Sequence, residues 1–499
     1  MNFQLENFLN GFVLASTWSN LGFAFIGCLL GTLIGVLPGI GPLATISMLL
    51  SLTITLDPLS SLVMLAGIYY GAQYGGSTTA ILCNLPGEAS SVITCLDGHK
   101  MAQKGRAGAA LATAALASLF AGAFATGLIA VFGPILSTAA LSFNAPEYFV
   151  LLMFGLLASV VFSGGTFVKS LSMACLGILF GVVGTDVETG AMRYTFRLPE
   201  LSEGIGVVAV SMGMFGLAEI IMNLSKGTQR QVMGYKLSSL WLTKDEFKRA
   251  APAAGRGTAI GSLLGILPGG GIVLSTFAAY MFERRISKDP QSFGQGAIEG
   301  VAAPEAANNA AAQTSFIPLL TLGIPTTPTL ALLLGAMIIQ GIQPGPEVMI
   351  KRPDLFWGLI ASMFIGNVML VIINLPLISI WVQILKVPYR ILFPVILVVC
   401  SIGAYSLENS TMDLITMSMF AAMGVLFMAL KFPPIPLLLG FILGPLAEES
   451  LRRAMVIAGG DATVFLTRPI SFSIVIMIAI LLVVTLMPAF KARREAFVE

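Results

Sequence analysis

Two glycine- and proline-rich runs interrupt apolar stretches at residues 35–41 and 265–271, a spacing of 230 residues. Proline removes a helical hydrogen-bond donor, and glycine permits left-handed dihedral angles and close backbone approach. A half-helix that starts at such a break presents free N–H groups and a positive dipole end, which suit a carboxylate. The alternative is a kink with close helix packing. The glycines expected at the ligand are Gly39, Gly41, Gly269, Gly270 and Gly271.

A second pair of interruptions follows, at residues 75–87 and 311–326, which align at an offset of 239. Short polar side chains concentrate there, and their hydroxyl and amide groups can bind a polyanion or coordinate Na⁺. Hydrogen bonding between helices is the alternative role for such residues. The candidate substrate-binding residues are Ser77, Thr78, Thr79, Asn84, Asn308, Asn309, Gln313, Thr314, Thr326 and Thr327.

Two glutamates lie close to these interruptions, Glu88 after Leu-Pro-Gly and Glu305 before Asn308. Ionisable residues inside a membrane are costly and mark functional sites. Both are therefore candidates for cation coupling, by Na⁺ or H⁺, although each could also be solvated or cap a helix. Carbonyl and hydroxyl oxygens are the candidate ligands for Na⁺, and we expect no cofactor. His99, the single histidine, is expected on a solvated loop.

The amino-acid composition indicates that membrane helices carry the candidate residues. Only 10% of the 499 residues are charged, 56% are hydrophobic, and the mean hydropathy is +0.90. A soluble fold would expose large apolar patches, so lipid is the natural solvent. We predict an all-α integral membrane protein with about 12 transmembrane helices. The net charge of +2 gives no reason to expect a nucleic-acid partner.

Three matches in order, the third between residues 216–219 and 445–448, indicate an internal duplication. We predict two structural repeats containing interrupted helices or re-entrant hairpins. Broken helices at matching positions favour inverted repeats, although the charge pattern does not exclude parallel ones. The predicted segments are a first membrane repeat (1–225), a basic connector (226–256) that is cytoplasmic by the positive-inside rule, a second membrane repeat (257–468), and a C-terminal helix with a basic tail (469–499).

Missing motifs narrow the function. No Gly-Lys dipeptide and no His-Glu-x-x-His run occurs, so the sequence lacks a P-loop and this zinc-protease motif. We therefore expect a protein that is not an enzyme. Polar clusters beside discontinuous helices favour an occluding carrier. The alternatives are an anion-selective channel and a stand-alone carrier for another small organic anion.

Several long motifs in fixed order resemble the large membrane subunit of bacterial tripartite tricarboxylate transporters. They lie at residues 35–42, 70–80, 85–88, 265–271, 304–309, 323–328 and 444–453. The resemblance implies a multi-pass protein of the inner membrane. It also implies two partners, a small four-helix membrane subunit and a periplasmic solute-binding protein. The implied activity is uptake of a di- or tricarboxylate such as citrate, driven by a Na⁺ or proton gradient.

Overall fold

The computed structural model describes residues 2–37, 41–53, 55–163, 165–186, 188–226, 240–385, 387, 389–408 and 410–486, most of them helical. The helices of the first half are α1 (Asn2–Ala15), α2 (Trp18–Val36), α3 (Pro42–Thr53), α4 (Pro58–Cys83), α5 (Val92–Thr94), α6 (Lys100–Gln103), α7 (Ala107–Ala140), α8 (Ala145–Phe162), α9 (Phe167–Gly181), α10 (Val207–Ser211) and α11 (Ala218–Lys226). A π-helical turn (Met212–Leu217) joins α10 to α11. Further short turns are 3₁₀ (Ala89–Ser91, Pro199–Leu201) and π-helical (Cys95–His99).

The second half repeats this pattern of long and broken helices. Its helices are α12 (Lys244–Leu264), α13 (Gly271–Ile286), α14 (Glu299–Thr314), α15 (Phe316–Leu322), α16 (Pro328–Ile339), α17 (Val348–Lys351), α18 (Pro353–Asn374), α19 (Ile378–Leu385), α20 (Tyr389–Glu408), α21 (Thr411–Ala429), α22 (Ile435–Ile457), α23 (Val464–Thr467) and α24 (Pro469–Leu486). A 3₁₀ turn (Pro290–Ser292) precedes α14.

The predicted all-α membrane character is confirmed in its coarse form. Five helices of the described ranges are long and apolar enough to cross a membrane, namely α2, α7, α8, α18 and α21. Several shorter apolar helices accompany them, including α9 and α16. Among the described residues one element departs from helix, an antiparallel pair of two-residue strands, β1 (Gly184–Thr185) and β2 (Met192–Arg193).

Glycine spacing brings α2 and α4 into backbone contact. Gly27, Gly31 and Gly35 lie one turn apart on α2, and a Cβ on any of them would lie 2.3–2.5 Å from a carbonyl oxygen of α4. Those oxygens belong to Met64, Ile68 and Ala72, in the same order along the chain. The two helices therefore run parallel. Small residues allow this approach, as is common between membrane helices.

The same contact recurs between α12 and α14. A Cβ on Gly257, Gly261 or Gly265 would lie 2.1–2.5 Å from the carbonyl oxygens of Ala303, Ala307 and Ala311. These glycines follow those of α2 by 230 residues, and the alanines follow the α4 residues by 239. Each helix pair thus reproduces the other at the offsets of the sequence motifs.

The two pairs run in opposite directions where they meet. Ser77 of α4 contacts Glu305 of α14, whereas the earlier Tyr69 contacts the later Ser315. Contacts that progress in opposite senses require α4 and α14 to be antiparallel.

Long helices of each half also pack against helices of the other half. Helix α7 packs on α12 and α14, and α18 packs on α2 and α4. Likewise α9 packs on α22, and α21 packs on α11 and the preceding π turn. The contacts are reciprocal, so neither half buries its apolar surface alone.

Helix α13 folds back on α12 to make a hairpin. Arg256 of α12 pairs with the carboxylate of Glu283 on α13, at 2.9 Å from Nε to Oε2. Helix α12 begins at Lys244, within the segment predicted as the connector. Residues 227–239 of that connector and the tail from 487 onward lie outside the described residues.

Candidate functional site

Four breaks lie next to these helix pairs. We define the first break as the segment between α2 and α3 (residues 37–41), of which the structure describes residues 37 and 41. The second, third and fourth breaks are the non-helical residues 84–88, 265–270 and 323–327. Residues 89–103, a chain of short helical turns after the second break, are called the short-helix arm.

The third break forms the tip of the α12–α13 hairpin. Gly269 has a φ of +90°, and a Cβ there would lie 2.1 Å from Cα of Ser159 on α8, so only glycine fits. Its N–H donates to the carbonyl of Thr326 at 2.8 Å, which joins the third break to the fourth. Gly270, the N-cap of α13, provides no side-chain cap, and Gly271 starts the helix. The first N–H groups of α13 therefore have no capping side chain at this end of the helix.

The second and fourth breaks each begin with a residue of positive φ and end with the N-cap of the next helical element. Asn84 ends α4 at a φ of 55°, and Gly323 ends α15 at a φ of 71°, 239 residues later. Glu88 and Thr327, again 239 apart, are the N-caps of the helical turns that follow. The Thr327 hydroxyl accepts from the N–H of Leu330 at 3.2 Å, which caps α16.

The first break is only partly described. Gly39 lies outside the described residues, and Gly41 is half-buried, with no heavy atom within 4 Å of the point where a Cβ would lie. The Thr79 hydroxyl donates to the carbonyl of Val36 at 2.8 Å, so one carbonyl freed at the end of α2 is already satisfied. A Cβ on Gly87 would lie 2.4 Å from the carbonyl oxygen of Gly35, which packs the second break against the last turn of α2.

Glu305 is a fully buried carboxylate held by hydroxyl groups. The Ser77 hydroxyl donates to Oε2 at 2.5 Å, and the Thr94 hydroxyl of the short-helix arm donates to Oε1. One turn further along α14, Asn309 donates to the Ser118 hydroxyl at 2.6 Å. Within the described ranges no Lys or Arg pairs with Glu305. Among the described residues, the side-chain contacts of this carboxyl group are therefore the two hydroxyls, and a buried carboxyl group without a basic partner is costly in its charged form.

The following turns of α14 carry polar side chains without a partner in the part of the chain that the structure describes. Among those residues, both side-chain polar atoms of Asn308 and of Gln313 are buried without a hydrogen bond, as is the Thr326 hydroxyl of the fourth break. Buried polar groups are normally satisfied, so these positions call for a polar ligand. By contrast, the Thr314 hydroxyl donates to the carbonyl of Ala310 at 3.1 Å.

Glu88 occupies a different position from Glu305. It is half-buried, and Gln73 of α4 donates to its Oε2 at 2.8 Å. Gln73 in turn accepts from the Ser90 hydroxyl at 3.1 Å. Glu219 of α11 is close enough for the two carboxylates to interact electrostatically.

A small cavity adjoins this region. Its lining includes Ser77 and Thr78, Tyr74 from the same helix, and Ser118 of α7. Asn84 is exposed at the end of α4. The lining of this cavity continues on Asn374 and Ile378 and not on α14. It is the bonds of Ser77 to Glu305 and of Asn309 to Ser118 that gather predicted residues of both halves between α4, α7 and α14.

Sequence reasoning missed several partners and was wrong about one residue. Thr94 and Ser118 were not singled out, because nothing local distinguishes them from residues that join helices. His99 is buried, and its Nδ1 lies 3.0 Å from the carbonyl oxygen of Ile81, so the expected solvated loop is incorrect. The arm folds back on α4, which the basic residues around His99 did not suggest.

The family of this chain is evident from its sequence similarity to known proteins. Residues 21–439 match the sequence profile described as the tripartite tricarboxylate transporter TctA family. The chain belongs to this family. All four breaks of this TctA-family chain lie inside the matched range, and the resemblance inferred from the motifs is confirmed.

Two proteins of Agrobacterium vitis are similar to it. One, named "Uncharacterized 52.8 kDa protein in TAR-I ttuC' 3'region", is 55% identical over 496 residues, 99% of each chain. The other, "Uncharacterized protein in TAR-II ttuC' 3'region", is 56% identical over 240 residues, 48% of this TctA-family chain and 99% of the relative. No solved structure matches the chain. Family membership and the apolar helices establish a multi-pass membrane protein of a transporter family.

Proposed function

We propose that the protein is the large transmembrane subunit of a cation-coupled secondary transporter that takes up a di- or tricarboxylate such as citrate. Supporting this, α13 begins at the third break without a side-chain cap, and α14, which packs against α13, carries the buried amides of Asn308 and Gln313 without a hydrogen-bond partner among the described residues. Such N–H groups and amides recognise carboxylates without a basic residue. The coupling gradient, Na⁺ or H⁺, delivers the free energy.

The two halves are an inverted duplication. The antiparallel course of α4 and α14, together with helix pairs that match at offsets of 230 and 239, supports this arrangement. Inverted repeats with broken helices place the site near the middle of the bilayer. Segments 1–225 and 257–468 are the two repeats, and together with the C-terminal helix α24 they provide about 12 spans.

Charge positions orient the chain in the bacterial inner membrane. Arg106 pairs with Glu246, so the basic cluster before α7 and the connector lie on one side, which is cytoplasmic by the positive-inside rule. Arg452 pairs with Asp186 between α9 and α10, on the opposite, periplasmic side. A periplasmic solute-binding protein delivers substrate there, and a small four-helix membrane subunit completes the complex.

Glu305 is the residue that takes up the coupling cation. It is buried, unpaired with a basic residue and bonded to two hydroxyls, and it precedes Asn308 by less than one turn of α14. An anion that binds so near is repelled unless the charge of Glu305 is neutralised. The cation and the carboxylate therefore bind together, which is the condition for symport. Glu88, which accepts a hydrogen bond from Gln73, is the second coupling candidate.

Uptake of labelled citrate into proteoliposomes containing the full complex tests the proposal. Uptake should require an imposed Na⁺ or pH gradient, applied separately to identify the cation. Gly270→Leu should abolish uptake because its side chain would meet Phe162, whose Cβ lies 2.8 Å from a Cβ at this position. Glu305→Gln should abolish the dependence on the gradient. Glu347→Gln, an exposed glutamate paired with Lys351, is the matched control and should behave as wild type.

Three results would contradict the proposal. Unsaturable uptake without any gradient would instead identify an anion channel. Wild-type uptake by Gly270→Leu at equal expression would remove the role of the α13 N-terminus. Unchanged gradient dependence in Glu305→Gln would remove that residue from coupling.

A further inference from the structure

Asp97 is a fully buried carboxylate within the short-helix arm. Its Oδ1 accepts three backbone N–H groups, from Gly294 at 2.9 Å, Gly296 at 2.7 Å and Ala297 at 2.8 Å. Its Oδ2 accepts the hydroxyl of Tyr280 on α13 at 2.9 Å. Four donors thus converge on one side chain, although Asp97 belongs to the first half and its partners to the second.

These donors surround the start of α14. The three N–H groups belong to the loop that leads into the N-cap of that helix, Ile298, so the carboxylate of Asp97 binds the backbone immediately before α14. A Cβ on Gly300 would lie 2.2 Å from Oδ2 of Asp97, so the helix approaches the carboxylate as closely as glycine permits. Asp97 therefore fixes the arm against the first turn of α14.

The arm has a second contact with the same helix. Thr94, three residues before Asp97, donates to Glu305 on the second turn of α14. The arm consists of short turns rather than one long helix, so its register depends on such contacts. His99 supplies another, to the carbonyl of Ile81 on α4. A shift of the arm at Asp97 would therefore move the Thr94 hydroxyl away from Glu305.

We propose that Asp97 is a positioning residue that holds Thr94 against Glu305 and so sets the affinity of the coupling site. The proposal rests on the proposed role of Glu305 in cation uptake. Asp97 touches neither the cation nor the substrate. It acts because one carboxylate determines where the arm lies along α14.

The test measures citrate uptake by Asp97→Asn complexes as a function of the driving cation. The half-saturating cation concentration should rise about tenfold, the effect typical of losing a group that orients a ligand. The half-saturating citrate concentration at saturating cation should stay unchanged. Lys104→Met is the matched control, because Lys104 bonds the carbonyl of Gln295 in the same loop but holds neither Thr94 nor α14. It should match wild type in both constants.

Tyr280→Phe keeps the test decisive if Asp97→Asn fails to fold. It removes one of the four donors and leaves the carboxylate, so a smaller rise in the same cation constant is expected. A wild-type cation constant in both folded variants, or a change in the citrate constant alone, would overturn the positioning role. If Glu305→Gln itself keeps wild-type cation dependence, the proposed function fails instead, and the two failures are thereby distinguished.

Discussion

Replacing Gly261 by alanine tests whether backbone contact between α12 and α14 positions the site. The added Cβ would lie 2.3 Å from the carbonyl oxygen of Ala307 and 2.7 Å from its Cα. Ordinary contacts begin near 3.4 Å, so the helices must separate by about 1 Å. Helix α14 carries Glu305 and Asn308, and a misplacement of about 1 Å can cost a reaction about 10²-fold. We expect uptake in proteoliposomes to fall by about that factor.

Gly255→Ala is the matched control on the same helix. No heavy atom lies within 4 Å of a Cβ at Gly255, so the substitution should leave uptake intact. Helix α2 of the first half offers the same comparison. The Cβ added by Gly31→Ala would lie 2.5 Å from the carbonyl oxygen of Ile68, whereas the Cβ added by the control Gly22→Ala would meet no heavy atom within 4 Å. Equal uptake by Gly261→Ala and Gly255→Ala, at equal amounts of folded complex, would refute the reasoning.

Three further outcomes follow from individual contacts. The N–H of Glu188 and the neighbouring Thr189 hold the pKa of Asp186 at about 2, below its usual 3.8. The ion pair between Asp186 and α22 should therefore persist at pH 5 and weaken as the pH falls from 4 to 2. Hydrogen exchange of the β-hairpin measures this weakening, and Asp186→Asn should remove the pH dependence. Arg468→Met removes the basic partner of Glu147, which is 1% exposed, and should destabilise the docking of α24 by about 2 kcal/mol, seen as a lower melting temperature in detergent. Thr79→Val leaves a carbonyl of α2 unpaired and should cost about 1 kcal/mol by the same melt, whereas an unchanged melt would show that another donor replaces it.

The sequence by itself predicted the membrane class and the places of the breaks, and it indicated a duplication. Scarcity of charge and long apolar stretches predict membrane helices, because lipid tolerates little else. Proline and glycine at 35–41 and 265–271 end helices for local reasons, so these breaks could be located from the sequence and are seen where the chain is described. The offsets of 230 and 239 also predicted which segments match, such as Asn84 and Gly323.

Tertiary structure alone decided which side chains meet. Ser77 and Thr94 lie 228 and 211 positions from Glu305 along the chain, and no local pattern predicts a contact at such a distance. The burial of His99 and the reach of Asp97 across the two halves depend on the arm folding back along α4 and α14. Hydrophobic periodicity records only that a face is buried, whereas the partner of that face depends on how antiparallel helices from both halves pack together.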